Sequence, residues 1–209
     1  MKEAEVRELI VEMARSMFER RLTFGRSGNI SVKIDGGWLM TPTGSSLGRL
    51  DPAHLSKLDD KGTLISGDAP TKESFLHLAM YRERAGAGAV VHLHSTHSVA
   101  VSCLEDINHE DVLPPITAYY VMRVGKLPLI PYYAPGDKAL GEAVGQYAAK
   151  HAAVLLANHG PVVSGSSLSA AVDAIEELEE TARLYLLLHG RPTRYLNPAQ
   201  VADLKRRFP

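Results

Sequence analysis

Residues 89–95 read Ala-Val-Val-His-Leu-His-Ser. A short apolar run of this kind predicts a buried β-strand. Side chains two positions apart point to the same face of a strand, so His92 and His94 are expected to project together. Two adjacent neutral imidazoles are half of a site for zinc or a similar divalent ion. The alternative is a pair of hydrogen-bonded core histidines, and the strand alone leaves both interpretations open.

The composition is that of a globular protein rather than of a disordered or nucleic-acid-binding one. With 209 residues, 45% hydrophobic and 22% charged, we expect a single domain spanning residues 1–209. The net charge of −1 gives no support for a broad basic surface. Cys103 is the only cysteine, which excludes an intrachain disulfide. Because neither a signal peptide nor a membrane-spanning run is recognised, we expect a cytoplasmic protein with no membrane partner.

Alternating helices and strands predict the fold class. Apolar residues at helical spacing, and cap residues followed by proline, indicate six helices. They are placed from the amino terminus to about Phe24-Gly25, after Asp51-Pro52, after Pro70 with Thr71 as cap, after Pro135-Gly136-Asp137, over residues 169–188 and after Asn197-Pro198. Strands are predicted at residues 30–34 and 38–40, joined as a hairpin, and at 63–65, 89–95, 127–130 and 153–157. Pro128 makes the 127–130 strand short or an edge strand. The expected class is therefore α/β with a mixed sheet.

A third metal ligand is needed, and two histidines are candidates. His159 directly follows a predicted buried strand, in a Gly-Pro loop that holds the backbone at the end of a sheet. Three histidines with one open position are typical of a catalytic rather than a structural zinc site. His97 competes for this role, but it lies too close to the first pair to share their strand face if a helix begins at Ser95. We therefore favour His159.

Glu73 is the carboxylate that we expect beside the metal. It lies in the first turn of the helix predicted after Pro70, where a negative charge is stabilised by the helix dipole. The simpler interpretation of the same position is a surface glutamate with no chemical role, and spacing alone does not exclude it.

Three short segments are candidates for holding a phosphate. Two are glycine-containing turns, Gly28-Asn29 and Thr43-Gly44, whose backbone N–H groups and short polar side chains can line an anion site. The third is Thr71-Lys72 at a predicted helix amino terminus, where a lysine adds positive charge. Taken one at a time these patterns are weak, since most such turns bind nothing.

As a set, these segments resemble the class II aldolase/adducin family. The resemblance rests on five patterns in the same order: Ser27-Gly28-Asn29, Thr41-Pro42-Thr43-Gly44, Glu73, His92-Leu93-His94 and Asn158-His159-Gly160. It implies a three-layer α/β/α fold with a mixed, largely antiparallel central sheet. It also implies one Zn²⁺ on His92, His94 and His159, with Glu73 as acid/base and occasional fourth ligand, and phosphate held by the glycine loops and by Thr71 and Lys72. A homotetramer with sites at subunit interfaces is implied too, with Tyr119 of a neighbouring chain as proton donor.

Within the family, the resemblance indicates a decarboxylase. Sugar-phosphate aldolases of the family carry Ser-Ser before the catalytic Glu, whereas this chain has Thr71-Lys72. Residues 67–73, 92–96 and 131–138 resemble the subfamily that decarboxylates 3-oxo-tetronate 4-phosphate. The implied reaction is a zinc-dependent carboxy-lyase step in tetronate catabolism that yields dihydroxyacetone phosphate and CO2 through a metal-stabilised ene-diolate. Arg123 or Lys72 is a candidate for the substrate's second anion, although Arg123 is equally well explained as a solvated surface charge.

Two rival functions remain at this point. A sugar-phosphate aldolase or epimerase, of the L-fuculose-1-phosphate aldolase type, would use every one of the same metal ligands. A noncatalytic interaction module like the adducin head would keep the fold but would not need the ligands. The intact set of three histidines with Glu73 argues against the module.

Overall fold

The computed structural model describes residues 2–134 and 136–208 of the chain. Its sheet strands are β1 (Asn29–Ile34), β2 (Gly37–Met40), β3 (Ser56–Asp59), β4 (Leu64–Ser66), β5 (Ala89–His92), β6 (Leu129–Ile130), β7 (Ala153–Leu156) and β8 (Gly160–Gly165). Its helices are α1 (Glu3–Glu19), α2 (Ser74–Glu83), α3 (Thr96–Ser102), α4 (Ala118–Arg123), α5 (Ala139–Ala148), α6 (Leu168–Leu188) and α7 (Pro198–Arg207), with 3-10 turns at Leu47–Arg49 and Pro52–His54. Among the described residues, no helix is both long enough and apolar enough to cross a lipid bilayer.

All eight strands form one sheet in the order β4-β3-β2-β1-β5-β8-β7-β6. Every neighbouring pair is antiparallel except β6 and β7, which are parallel. The expected mixed, largely antiparallel sheet is therefore confirmed. The strand predicted at 127–130 is the two-residue strand β6, which follows Pro128 and lies at the edge of the sheet. The strand β5, which ends at His92, is paired on both sides, with β1 and with β8.

Helices cover both faces of the sheet, which confirms the three-layer architecture. Alternate residues of β5 enter opposite cores: Val91 packs in the core that includes α1 and α6, and Val90 packs in the core that includes α2 and α5. Both valines are fully buried. This alternation is the period of two expected for a strand buried on both faces. It places α2, which carries Glu73 at its amino end, over one face of β5.

Several predicted boundaries were wrong. The first helix ends at Glu19, five residues before the predicted end, and Arg21 then adopts a left-handed φ of 63° that stops the helix. The helix predicted from Asp51-Pro52 is a single 3-10 turn, capped by the Asp51 side chain, and the strand β3 follows it.

Three further elements were not predicted, and one predicted cap is displaced. They are the helices α3 and α4 and the strand β8; Gly160-Pro161, predicted as loop, begins β8. Thr71 is not the cap of α2, since Glu73 occupies that position. The helix predicted after residues 135–137 begins at Ala139, and Pro135 itself lies outside the described residues.

Candidate metal centre

Four side chains from separate parts of the chain meet at one end of the sheet. His92 is the last residue of β5. His94 lies two positions further on and directly precedes Ser95, the N-cap residue of α3. His159 occupies the turn between β7 and β8. Glu73 is the N-cap residue of α2. One ligand atom from each of the four residues lies within 4.8 Å of all the others.

The turn that carries His159 depends on the glycine that follows it. Gly160 has a φ of +151°, and a Cβ built at this position would lie 2.3 Å from the backbone oxygen of Leu93. A distance this short is a clash between a carbon and a main-chain atom, so any side chain would push the turn away from the strand end. Glycine therefore lets the His159 turn approach the segment that carries His94.

The three imidazole rings converge through the same nitrogen. The Nε2 atoms of His92 and His94 are 3.1 Å apart, as are those of His159 and His94. The Glu73 carboxylate completes the cluster, with Oε1 3.2 Å from the Nε2 of His159 and Oε2 3.5 Å from the Nε2 of His92. This set of nitrogen and carboxylate donors is of the kind that binds zinc and other divalent transition metals.

The hydrogen bonding of His92 tests whether the cluster fits a cation. Its Nδ1 donates to the backbone oxygen of Pro161 at 2.8 Å, so a neutral His92 ring has its lone pair on Nε2, facing the cluster. Metal-binding histidines almost always donate their other ring nitrogen in this way. A divalent cation would satisfy the converging Nε2 lone pairs, and the residues therefore fit a metal ion.

The electrostatics of the cluster favour neutral His92 and His94 beside an ionised Glu73. Burial lowers the pKa of His92 to about 4 and lowers the pKa of His94 as well. Burial also raises the pKa of Glu73, but hydrogen bonds from His159 and Asn29, together with attraction to His92 whenever that ring is protonated, outweigh it, so the Glu73 pKa lies well below its usual value. Neutral histidine and carboxylate are the forms that bind a metal ion.

His97, the other candidate for the third metal ligand, is bonded to Glu179 instead. The Nδ1 of His97 contacts Oε1 of Glu179 at 2.8 Å, and His97 is not one of the clustered residues. It lies in the first turn of α3, which begins at Thr96 directly after the N-cap residue Ser95, so it does not share the strand that carries His92.

A cleft opens beside the cluster. It has a volume of about 490 Å³ and is lined by Glu73, His94 and His159 together with Phe24, Thr96, Val99, Tyr132, Tyr133 and Asn158. Tyr132 and Tyr133 were not singled out from the sequence as site residues. The available signal was their position within residues 131–138, one of the stretches that resembles the decarboxylase subfamily.

The three predicted phosphate segments are brought together at this same sheet end. Asn29 begins β1, and the backbone N–H of Thr41 donates to the oxygen of the next residue, Ile30, at 2.9 Å. The Thr43 N–H donates to Ala69 and the Thr71 N–H donates to Thr41, at 2.9 and 3.1 Å. These bonds tie the loops after β2 and before α2 to the start of β1. Thr43, Gly44 and Lys72 are exposed and can meet an anion from solution, whereas Asn29 and Thr71 are buried.

Tyr119 and Arg123 do not line the cleft of their own chain. Tyr119 lies on α4 and is 59% exposed. The Arg123 guanidinium lies 5.7 Å from the centre of the Tyr119 ring, and its Nη1 is 3.2 Å from the carboxylate of Asp173. Within one chain the structure therefore separates both residues from the metal cluster.

Comparison with known proteins identifies the family. Residues 8–186 match the class II aldolase and adducin N-terminal domain. The chain belongs to the class II aldolase/adducin family. It is 50% identical over 204 residues to the 3-oxo-tetronate 4-phosphate decarboxylase of Escherichia coli strain K12, covering 97% of this chain and 96% of the relative. The Haemophilus influenzae protein of the same name is also 50% identical, with 96% of each chain covered.

Solved structures of this family share the whole fold. The crystal structure of YgbL from Escherichia coli has a TM-score of 0.95 and 48% identity, and the match covers 97% of this chain and 99% of that one. An L-fuculose 1-phosphate aldolase has a TM-score of 0.86 at 26% identity, with 98% and 96% covered. The resemblance inferred from short motifs thus extends over nearly the whole length of this class II aldolase/adducin chain.

Proposed function

We propose that this protein is a carboxy-lyase that converts 3-oxo-tetronate 4-phosphate to dihydroxyacetone phosphate and CO2 with one bound Zn²⁺. The observation that carries the proposal is the cluster of His92, His94, His159 and Glu73, in a chain half identical, over nearly its full length, to proteins named for this reaction. The same donor set fits other divalent ions, and zinc is proposed because three histidines with an open position are typical of its catalytic sites.

Decarboxylation leaves an electron pair on C2 of the substrate, and the site must stabilise it. The bond between the carboxyl carbon and C2 breaks, CO2 leaves, and the pair is delocalised onto the neighbouring ketone as an ene-diolate. When bound, the metal supplies a Lewis acid beside the carbonyl group where this negative charge develops. A proton added at C2 then gives dihydroxyacetone phosphate, so the protein must supply one proton for each CO2 released.

Tyr119 and Glu73 are the proposed routes for that proton. Glu73 is ionised in the free protein, so as acid/base it would first take up a proton from the substrate's hydroxyl group or from water and then pass it to C2. The Glu73 carboxylate lies in the cluster and lines the cleft, within reach of a substrate bound there. Tyr119 is 59% exposed and outside the cleft of its own chain, so it would act only from a neighbouring subunit. We therefore propose a homotetramer with sites at its subunit interfaces, as the family resemblance implies.

The phosphate is proposed to bind at the joined loops. The backbone N–H groups of Thr43 and Thr71 already donate within these loops, and the Asn29 side chain is bonded to Glu73 and His77. The backbone N–H groups of Gly28 and Gly44 and the Thr43 hydroxyl are therefore the proposed donors to the phosphate. Lys72 is exposed and directly precedes Glu73, so its ammonium group can meet either anion of the substrate, whose carboxylate and phosphate both need a cation. A Lys72→Met variant is expected to raise KM for this doubly anionic substrate.

The test is a coupled assay for dihydroxyacetone phosphate. Substrate is made in place from tetronate with a dehydrogenase and a kinase, and CO2 is measured in parallel. We expect equimolar CO2 and dihydroxyacetone phosphate from zinc-loaded protein, and neither after chelation. A sugar-phosphate aldolase or epimerase would release no CO2, and an aldolase would instead condense dihydroxyacetone phosphate with an aldehyde; that result would replace the proposed reaction.

A further inference from the structure

A chain of buried hydrogen bonds extends from Glu73 into the core beneath the cluster. Asn29 donates its Nδ2 to Oε2 of Glu73 at 2.8 Å, and its Oδ1 contacts the Nε2 of His77. The Nδ1 of His77 lies 2.7 Å from Oγ of Ser31, which lies 2.9 Å from the hydroxyl of Tyr81. Asn29, Ser31, His77 and Tyr81 are all at least nine-tenths buried. The family resemblance assigned no role to the last three.

The carboxylate at one end fixes the direction of every bond in this chain. An ionised Glu73 can only accept, so Asn29 must present its NH2 group to Glu73 and its carbonyl oxygen to His77. His77 must then donate from Nε2. Burial lowers the pKa of His77 to about 3, which leaves the ring neutral with a single N–H. Its Nδ1 therefore accepts from Ser31.

The other tautomer of His77 would reverse the orientation of the Asn29 amide. With its proton on Nδ1, the ring would present a lone pair to Asn29, and the amide would turn its NH2 group toward His77. The Asn29 carbonyl oxygen would then face the Glu73 carboxylate, where two acceptors repel each other. Glu73 would have to move or take up a proton, and either change would alter the surroundings of the cluster.

We propose that His77 is a positioning residue that fixes the orientation of the Asn29 amide, and through it holds the Glu73 carboxylate toward the three histidines. The role concerns the Nε2–H tautomer of His77, in which Nε2 donates to the Asn29 carbonyl oxygen and Nδ1 accepts from the Ser31 hydroxyl. Its catalytic consequence rests on the proposed function of Glu73, whereas the tautomer and the amide orientation do not depend on the identity of the substrate.

The first experiment measures the tautomer in the wild-type protein. Long-range 1H–15N correlation spectra of zinc-loaded protein with 15N-labelled histidine distinguish a protonated Nε2 from a protonated Nδ1, and the spectrum of the His77→Gln variant identifies the signals of residue 77. We expect Nε2 protonated and Nδ1 unprotonated. A protonated Nδ1 would overturn the proposal whether or not the protein is a decarboxylase.

The second experiment compares three variants. His77→Leu introduces an apolar side chain of similar volume and removes the N–H, whereas His77→Gln keeps an N–H donor near the Nε2 position. Met80→Ala is the matched control, because Met80 is a fully buried residue of the same helix, α2, and carries no hydrogen-bonding group to hold an amide. Each variant is loaded with Zn²⁺ for kinetics and with Co²⁺ for its visible absorption spectrum.

The expected pattern separates positioning from stability. His77→Leu should retain about one metal per chain and lower kcat about 10- to 100-fold, with a shifted Co²⁺ spectrum. His77→Gln should recover most of the rate and the wild-type spectrum, and Met80→Ala should be less stable with kcat within about twofold of wild type. Equal losses of rate in the Leu and Gln variants, or a Leu variant with wild-type rate and spectrum, would overturn the proposal. If wild-type protein forms no product, the Co²⁺ spectra and the tautomer still decide it.

Discussion

Glu179 clamps the segment that carries His94, and removing the Glu179 carboxylate is expected to lower the free energy of unfolding. The carboxylate lies on α6, is 7% exposed, and receives four hydrogen bonds from the first turn of α3. Oε1 accepts from the backbone and ring nitrogens of His97 at 2.9 and 2.8 Å, and Oε2 accepts from the backbone and hydroxyl of Ser98 at 2.8 and 2.7 Å. Helix α3 begins two residues after His94.

The magnitude follows from the donors that a Glu179→Ala change would leave unpaired. The two backbone N–H groups at the start of α3 have no partner within the helix, and each unpaired buried donor costs roughly 1–3 kcal/mol. The total is therefore about 4 kcal/mol of unfolding free energy. The ring of His97 adds less, because it is 39% exposed and can turn to water, whereas the hydroxyl of the buried Ser98 adds to the loss.

The assay is urea unfolding of metal-loaded protein, followed by circular dichroism, together with the zinc affinity of the folded state. Glu180→Ala is the matched control: Glu180 is the next residue, is about half exposed, and pairs only at the surface with Arg183 at 3.3 Å. We expect a loss below about 0.5 kcal/mol for this control. A Glu179→Ala protein within about 1 kcal/mol of wild type, with unchanged zinc affinity, would refute the clamp.

Three further predictions concern the site itself. Glu73→Gln should keep the metal but lower kcat about 10²- to 10⁴-fold, measured by turnover and metal content on the same samples. Gly160→Ala should destabilise the fold by about 2 kcal/mol or more and weaken zinc binding, because the new Cβ meets the Leu93 oxygen. Metal-free protein should lose stability as pH falls from 6.5 toward 4, because His77 and His92 have pKa values near 3 and 4 when folded and near 6.5 when unfolded.

Each of these has its own contrary outcome. Full activity of Glu73→Gln would remove Glu73 from the chemistry. For the glycine, Gly86→Ala is the control, since a Cβ there meets nothing within 4 Å; equal stability of the two alanine variants would show that the Gly160 contact is unimportant. For the pH dependence, a wild-type unfolding free energy that does not change between pH 6.5 and 4 would contradict buried neutral histidines. So would a His77→Gln protein whose unfolding free energy depends on pH as steeply as that of wild type.

Long periodic segments were predictable from the sequence, and short ones were not. The helix α6 was predicted from its apolar stripe to within one residue of its observed start at Leu168. The strand β8 was missed because Pro161 counts against a strand interior. In the structure Pro161 lies near the start of β8, where it pairs with Leu155 and offers its oxygen to His92.

The cluster was predictable by motif, whereas the side chains behind it were not. His92 and His94 are close in sequence, and the family pattern adds His159 and Glu73. The partners of His77 depend on the pairing of distant segments: Asn29 and Ser31 precede it by 48 and 46 residues. The only local signal was the spacing of four residues between Glu73 and His77, which places them on one side of a helix.

The most direct measurement of the central claim is a zinc titration of metal-free protein that follows bound metal and CO2 release on the same samples. The account predicts that the rate of decarboxylation of 3-oxo-tetronate 4-phosphate rises in proportion to bound zinc and stops rising at one zinc per chain, and that His94→Ala shows neither tight binding nor activity. A metal-free protein with full activity, or a saturated His94→Ala protein with the wild-type rate, would contradict it.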